Sequence, residues 1–193
     1  MITKELWESG LTFNEYIAQM DVYQKEMRQR INDVYITSAE FDRLKNLEKT
    51  TKLLVLTEAW CKDSLMNLPI IIKIAEASPK IELRIFDRSK FANLTSFFKD
   101  QGLENIPLCW IMNEDFSKRG YWIERPKKAY RMLEQWKNDH PEFQSIAGDT
   151  TLNKEEKKEK MAPYLEKLLD EMWNWYDTEL QSETVREIYQ QLQ

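Results

Sequence analysis

The chain has 193 residues, with 28 Lys and Arg against 33 Asp and Glu, a net charge of −5, and only 4 Gly, 2 Cys and 1 His. Hydrophobic residues at 42% supply a core, which excludes intrinsic disorder and collagen-like structure. Two cysteines exclude a disulfide scaffold and a cysteine-rich zinc site, one histidine excludes a multi-imidazole metal centre, and the acidic balance argues against nucleic acid or an anionic membrane as partner.

One domain over residues 1–193 is the default at this length. The start, Met1-Ile2-Thr3-Lys4-Glu5-Leu6-Trp7-Glu8, lacks the basic start and apolar run of a signal peptide. No apolar segment approaches the ~20 residues of a membrane span. The expectation is a soluble, cytoplasmic protein whose cysteines are reduced.

Residues 1–50 read as a helical extension. Phe13, Tyr16, Ile17 and Met20 share a helix face with Thr12 as cap, and Met27, Ile31 and Val34 continue that patterning. Thr37 and Glu40 form a capping box ahead of Phe41, Leu44 and Leu47. Residues 51–138 read as an α/β core. Leu53-Leu54-Val55-Leu56 suits a strand buried on both faces. A helix follows over 62–77, with Leu65, Leu68, Ile72 and Ala75 inward, ended by Ser78-Pro79. Residues 81–86 predict a second strand, 91–101 a helix closed by Gly102, and 108–112 a third strand. Asn113-Glu114-Asp115 turns the chain into a fourth, antiparallel strand over 116–123, with its acidic residues and Glu124 solvating the hairpin. Pro126 opens a helix to about 138. The order predicts a mixed β-sheet flanked by helices.

Residues 139–193 read as a second helical extension. His140 and Pro141 fall in a loop, with a structural or surface role for the histidine. The charge run 153–160 reads as a solvated helix face. Met161, Leu165, Leu168, Met172, Trp173, Tyr176 and Leu180 form an apolar stripe, with Pro163 in the first turn or at a kink. The stripe either docks on the core or forms a homodimer interface.

Trp60-Cys61-Lys62-Asp63-Ser64, where a buried strand turns into a helix, carries the one pattern with chemical promise. The free N–H groups and macrodipole of a helix start favour a thiolate. Lys62 would push Cys61 the same way, Asp63 would oppose it, and Glu58 would too if turned inward. Ser64, one turn on, could donate a hydrogen bond to the sulfur. A buried cysteine serving only as a small hydrophobe is the alternative. The sequence offers no metal signature, phosphate loop or nucleophile elbow.

The segment resembles the thioredoxin family. Pro69 lies eight positions after Cys61, as in that family, and Ile106-Pro107 before Leu108-Cys109-Trp110-Ile111 matches its cis-proline. Thr57-Glu58-Ala59-Trp60-Cys61-Lys62-Asp63, Asn67-Leu68-Pro69 and Gly120-Tyr121-Trp122-Ile123-Glu124-Arg125-Pro126 are similar to a bacterial subfamily of the Trp-Cys-x-Asp type. The resemblance implies a thioredoxin-like fold, with no cofactor, and Cys61 as nucleophile. It also implies that Pro107 faces Cys61, Ile106 pairs with a bound substrate, and Trp60 and Lys62 flank the site. Two departures stand out. Ser64 replaces the second cysteine, and Val55 stands where thioredoxins often carry a buried acid. Ser64 cannot resolve a mixed disulfide. Cys109 is the only other thiol and reads as core. The resemblance therefore implies a monothiol oxidoreductase of Cys-x-x-Ser type, acting on protein disulfides or low-molecular-weight thiols. The alternative is a redox-inactive binding module that uses the groove around Trp60 and Pro107.

Overall fold

A computed structural model describes residues 2–193. Strand β1 (Thr51–Thr57) is central, and all seven of its residues are buried. It pairs in parallel with β2 (Ile81–Asp87) and antiparallel with β3 (Leu108–Asn113), and β4 (Lys118–Ile123) completes the order β2-β1-β3-β4. The mixed sheet flanked by helices is the architecture expected.

Alternation along the strands sorts the core into two layers. Val55 lies opposite both Ile85 and Cys109. On this face Leu53, Val55, Ile85, Cys109 and Ile111 pack with α5 (Lys62–Glu76), α2 (Phe13–Gln19) and α3 (Gln24–Asp33). On the other, Leu54, Leu56, Phe86, Leu108, Trp110 and Met112 pack with Trp7 of α1 (Lys4–Glu8) and with Leu94 and Phe98 of α6 (Ala92–Lys99). Helix α5 follows β1 directly and is buried without a break from Ser64 to Ile72, so it is the inner helix of the first layer. Pro69 lies inside it.

Local chemistry sets the helix starts. The Thr12–Glu15 and Thr37–Glu40 pairs both form capping boxes, the second opening α4 (Ser38–Lys45). Gly10 sits beside the bridge Leu11–Ile85, where a Cβ would lie 2.4 Å from Phe86 Cζ and 2.9 Å from Arg84 Cβ. We expect Gly10→Ala to cost about 1–3 kcal/mol in urea unfolding, because Phe86 is fully buried and cannot withdraw without disturbing its layer.

The helical tail differs from its sequence reading. Helix α7 (Lys127–Asp139) starts after Pro126 as expected, but residues 140–141 are not a loop. Pro141 opens a further helix, α8 (Pro141–Gly148), because a proline at the first helical position loses no hydrogen bond. His140 stacks on Trp136 with ring centroids 4.1 Å apart. Pro163 lies well inside α9 (Lys154–Trp175), not in its first turn. A π-helical turn (Tyr176–Leu180) follows, then α10 (Gln181–Leu192), which continues past the predicted stripe and buries Val185, Ile188 and Leu192. Met172, Tyr176 and Leu180 of the stripe are buried in the first core layer. Arg30 of α3 is fully buried, donates to Asp177 of the π turn and lies 4.8 Å over the Trp173 ring. No helix among the described residues is long and apolar enough to cross a membrane.

Candidate functional site

The end of β1 and the start of α5 place Cys61. Its N–H donates to the Glu58 carbonyl at 3.2 Å, and its own carbonyl accepts from Leu65 N–H at 2.9 Å, which begins the helix. The side chain turns toward the segment before β3. There the Ile106–Pro107 bond is cis, and the Cys61 thiol donates to the Ile106 carbonyl over 3.5 Å. The Pro107 carbonyl accepts from Glu124 N–H at 2.8 Å, which ties this segment to the end of β4. Residues 45 positions apart in the chain thus meet at the sulfur. Trp60 stands outside, 57% exposed, with the Arg88 guanidinium 5.7 Å from its ring centroid.

Ser64 is buried one turn into α5, and its Oγ accepts from the Thr57 hydroxyl at 2.7 Å. That leaves the Ser64 proton free to point at the sulfur. Yet the thiol is not biased toward thiolate as the helix start alone would suggest. Cys61 is 8% exposed, and burial pushes its pKa up. The Ser64 hydroxyl and the amide N–H groups of Asp63 and Ser64 pull it down, Asp63 adds to the rise, and burial prevails. A carbonyl acceptor also suits a protonated sulfur. Lys62 is not among the groups that act on the thiol, and its ammonium is directed to the Leu165 carbonyl of α9 at 2.9 Å. Cys109 is fully buried in β3, its pKa pushed up to about 12 by burial, and both thiols are free.

Beside the sulfur lies a polar network that the sequence did not reveal. Arg125 bridges Asp63 and Glu124. Glu124 also accepts from the Tyr130 hydroxyl at 2.6 Å and from Asn105 at 2.7 Å, so it is a network residue and not a hairpin solvator. The fully buried Asn67 is the hub. Its amide donates to the Asp63 carbonyl, the Glu124 carbonyl and the Tyr176 hydroxyl, and its oxygen accepts from Thr184. The motif residues Asp63, Asn67, Glu124 and Arg125 were the only sequence signal of this network.

Burial raises the Asp63 carboxyl to about 6, with Arg125 opposing the rise. A carboxyl held above its ordinary 3.8 favours folding while protonated, and that contribution fades as pH climbs through about 6. Relative to the native chain, Asp63→Asn should therefore gain stability between pH 4 and about 6 and level off above that, as read by urea unfolding at each pH. A difference that stays flat across this interval would show that Asp63 titrates normally.

Among the described residues, no cluster of three or more His, Cys, Asp and Glu is placed to hold a metal ion. No curated protein matches the chain. Several solved structures resemble it, among them the following two. A Pseudomonas aeruginosa protein of unknown function is 25% identical, with a TM-score of 0.62, over 72% of this chain and 87% of that one. An HIV epitope scaffold is 21% identical, with a TM-score of 0.63, over 97% of this chain and 95% of that one. A thioredoxin family model matches residues 10–137, a stretch that contains β1 to β4, Cys61 at the head of α5 and the cis peptide opposite it. With most of its length matched in this way, the chain belongs to the thioredoxin family.

Proposed function

We propose that the protein carries out thiol–disulfide exchange with Cys61 as its single nucleophile. The supporting observation is the Cys61 sulfur at the head of α5, 3.5 Å from the Ile106 carbonyl that precedes Pro107. The Cys61 thiolate attacks one sulfur of a disulfide. The old S–S bond breaks, a Cys61 mixed disulfide forms, and the other half leaves as a thiolate that takes up a proton. Ser64 has no thiol to resolve this bond, and Cys109 is sealed in the core. A low-molecular-weight thiol therefore attacks the mixed disulfide, restores Cys61 and departs as a new disulfide. The Ser64 hydroxyl stabilises the departing Cys61 sulfur. Trp60, Ile106 and Pro107 form the docking surface for an extended substrate segment, in the manner of strand addition. Lys62 flanks the site with its charge held on α9. The partners are protein disulfides or small thiols, and the compartment is the cytoplasm.

Intact-mass spectrometry after incubation with bis(2-hydroxyethyl) disulfide tests this. The native protein should gain one adduct and Cys61→Ser none. Failure of the native protein to gain an adduct at any pH up to 9.5 would refute it.

The buried, protonated state of Cys61 favours a second reading, a binding module without redox chemistry. That reading predicts no adduct, and partner binding that survives Cys61→Ser.

A further inference from the structure

A cavity of about 380 Å³ opens beside Trp60, lined among others by Tyr16, Asp21, Glu58, Trp60, Asp87 and Lys90. It adjoins the thiol through the chain itself, since Trp60 precedes Cys61 and the Cys61 N–H is bonded to Glu58. Its charges are unbalanced, with three carboxylates against one ammonium. Asp87 is already satisfied, accepting from Ser89 N–H at 3.1 Å and the Ser89 hydroxyl at 2.6 Å, with Lys90 Nζ at 3.5 Å. Lys90 is half exposed at the rim, where it also reaches Gln19 at 3.4 Å. Arg88 is turned to the Glu104 carbonyl.

Glu58 is different. The residue is 93% buried, and its carboxylate makes no ion pair among the described residues, with the Ser89 N–H, Arg88 and Lys90 as its nearest favourable groups. The Tyr16 hydroxyl on the same cavity is 97% buried and without a hydrogen-bond partner. A buried phenol without a partner beside a carboxylate that no cation pairs leaves acceptor capacity open on one cavity, and a buried group so placed calls for a donor from outside. A cationic donor answers both, and the carboxylate makes that bond charge-assisted.

We propose that this cavity receives a cationic group, an ammonium or guanidinium, carried by the substrate next to the sulfur that Cys61 attacks. This rests on the thiol-exchange reading and names its substrate class. The same charge can come from a small aminothiol or from a basic side chain beside a cysteine in a peptide.

The test compares second-order rates of Cys61 adduct formation, by intact mass, for disulfides that differ in charge. Cystamine, bis(2-hydroxyethyl) disulfide and dithiodipropionate supply the small series. Disulfide-linked Cys tripeptides flanked by Lys or by Glu supply the peptide series. Each rate is divided by that of 2-mercaptoethanol with the same disulfide, which removes intrinsic reactivity. We expect the cationic member of at least one series to lead its neutral or acidic counterpart by roughly tenfold. A lead for cystamine alone assigns an aminothiol, and a lead for the Lys peptide alone assigns a basic side chain. The lead should shrink in 0.5 M salt and fall to about one in Glu58→Gln; Asp21→Asn, at an exposed position, should reduce it if the first variant does not fold. Equal normalised rates in both series would overturn the proposal while leaving thiol exchange intact. If no disulfide reacts at all, thiol exchange fails instead, and the cavity is then judged by NMR titration with cadaverine. A shift of the Trp60 indole N–H upholds cation binding, and its absence overturns it.

Discussion

Asn67→Leu is expected to destabilise the protein by about 3 kcal/mol or more, measured by urea unfolding. The leucine fits the volume but satisfies nothing. The Glu124 carbonyl, the Thr184 hydroxyl and the Tyr176 hydroxyl each lose a partner inside the molecule. Orphaned buried groups cost about 1–3 kcal/mol each, and their sum is less than additive because the three share one hub. The damage should also reach the site, since Asn67 holds the end of β4 through Glu124, and Glu124 N–H holds the Pro107 carbonyl. Thr184→Val removes a single link and should cost about 1 kcal/mol. A loss below 1 kcal/mol for Asn67→Leu would mean that the network is not what joins α5, β4 and the tail.

The second large effect concerns the two thiols. Iodoacetamide should modify Cys61 slowly, with a rate that keeps rising as pH passes the ordinary thiol range, because burial holds its pKa up. Cys109 should remain unmodified until the protein unfolds. Its side chain is fully buried between α5 and the sheet, so exposure needs opening of the main core layer, and global opening is rarer than about one molecule in a thousand. Peptide mapping after timed alkylation reads both rates at once. Fast alkylation of Cys61 at pH 6 would place it among activated thiols and reverse the electrostatic account given above. Comparable rates at the two cysteines would mean that the core layer opens readily.

The strand β1, the helix α5, Pro69 within it and the hairpin were legible from apolar runs, turn residues and caps, because those signals lie within a few residues of one another. The Thr12 and Thr37 caps formed as written for the same reason. Helix α8 was missed because Pro141 serves equally well in a loop or at a first helical position, and only the packing of Trp136, His140 and Phe143 decides between them. Residues 181–192 are helical as expected of the extension, but the buried face of α10 was not read, because the apolar stripe was followed only to Leu180, where the backbone passes through a π turn that shifts the helical phase.

At the site, the residues themselves were read from sequence but not their electrostatics. Glu58, Asp63 and Lys62 were weighed as charges near Cys61. Whether each acts depends on where its side chain is anchored, and the anchors are Leu165 and Arg125, more than sixty residues and a hundred residues away for Asp63 and Lys62. The buried Arg30, with its partner Asp177, carried no local signal at all.

By itself, then, the sequence determined the order of strands and helices over residues 51–138, the one cysteine placed at a helix start and the absence of a second cysteine in its motif. Those properties depend on neighbouring residues and on what the chain does not contain. Only the tertiary structure decided that the Cys61 sulfur meets Ile106, that burial outweighs the helix start in setting its protonation, and that Asn67 fastens the tail to the site. Each of these depends on which distant groups share a desolvated space, and local spacing carries no record of that.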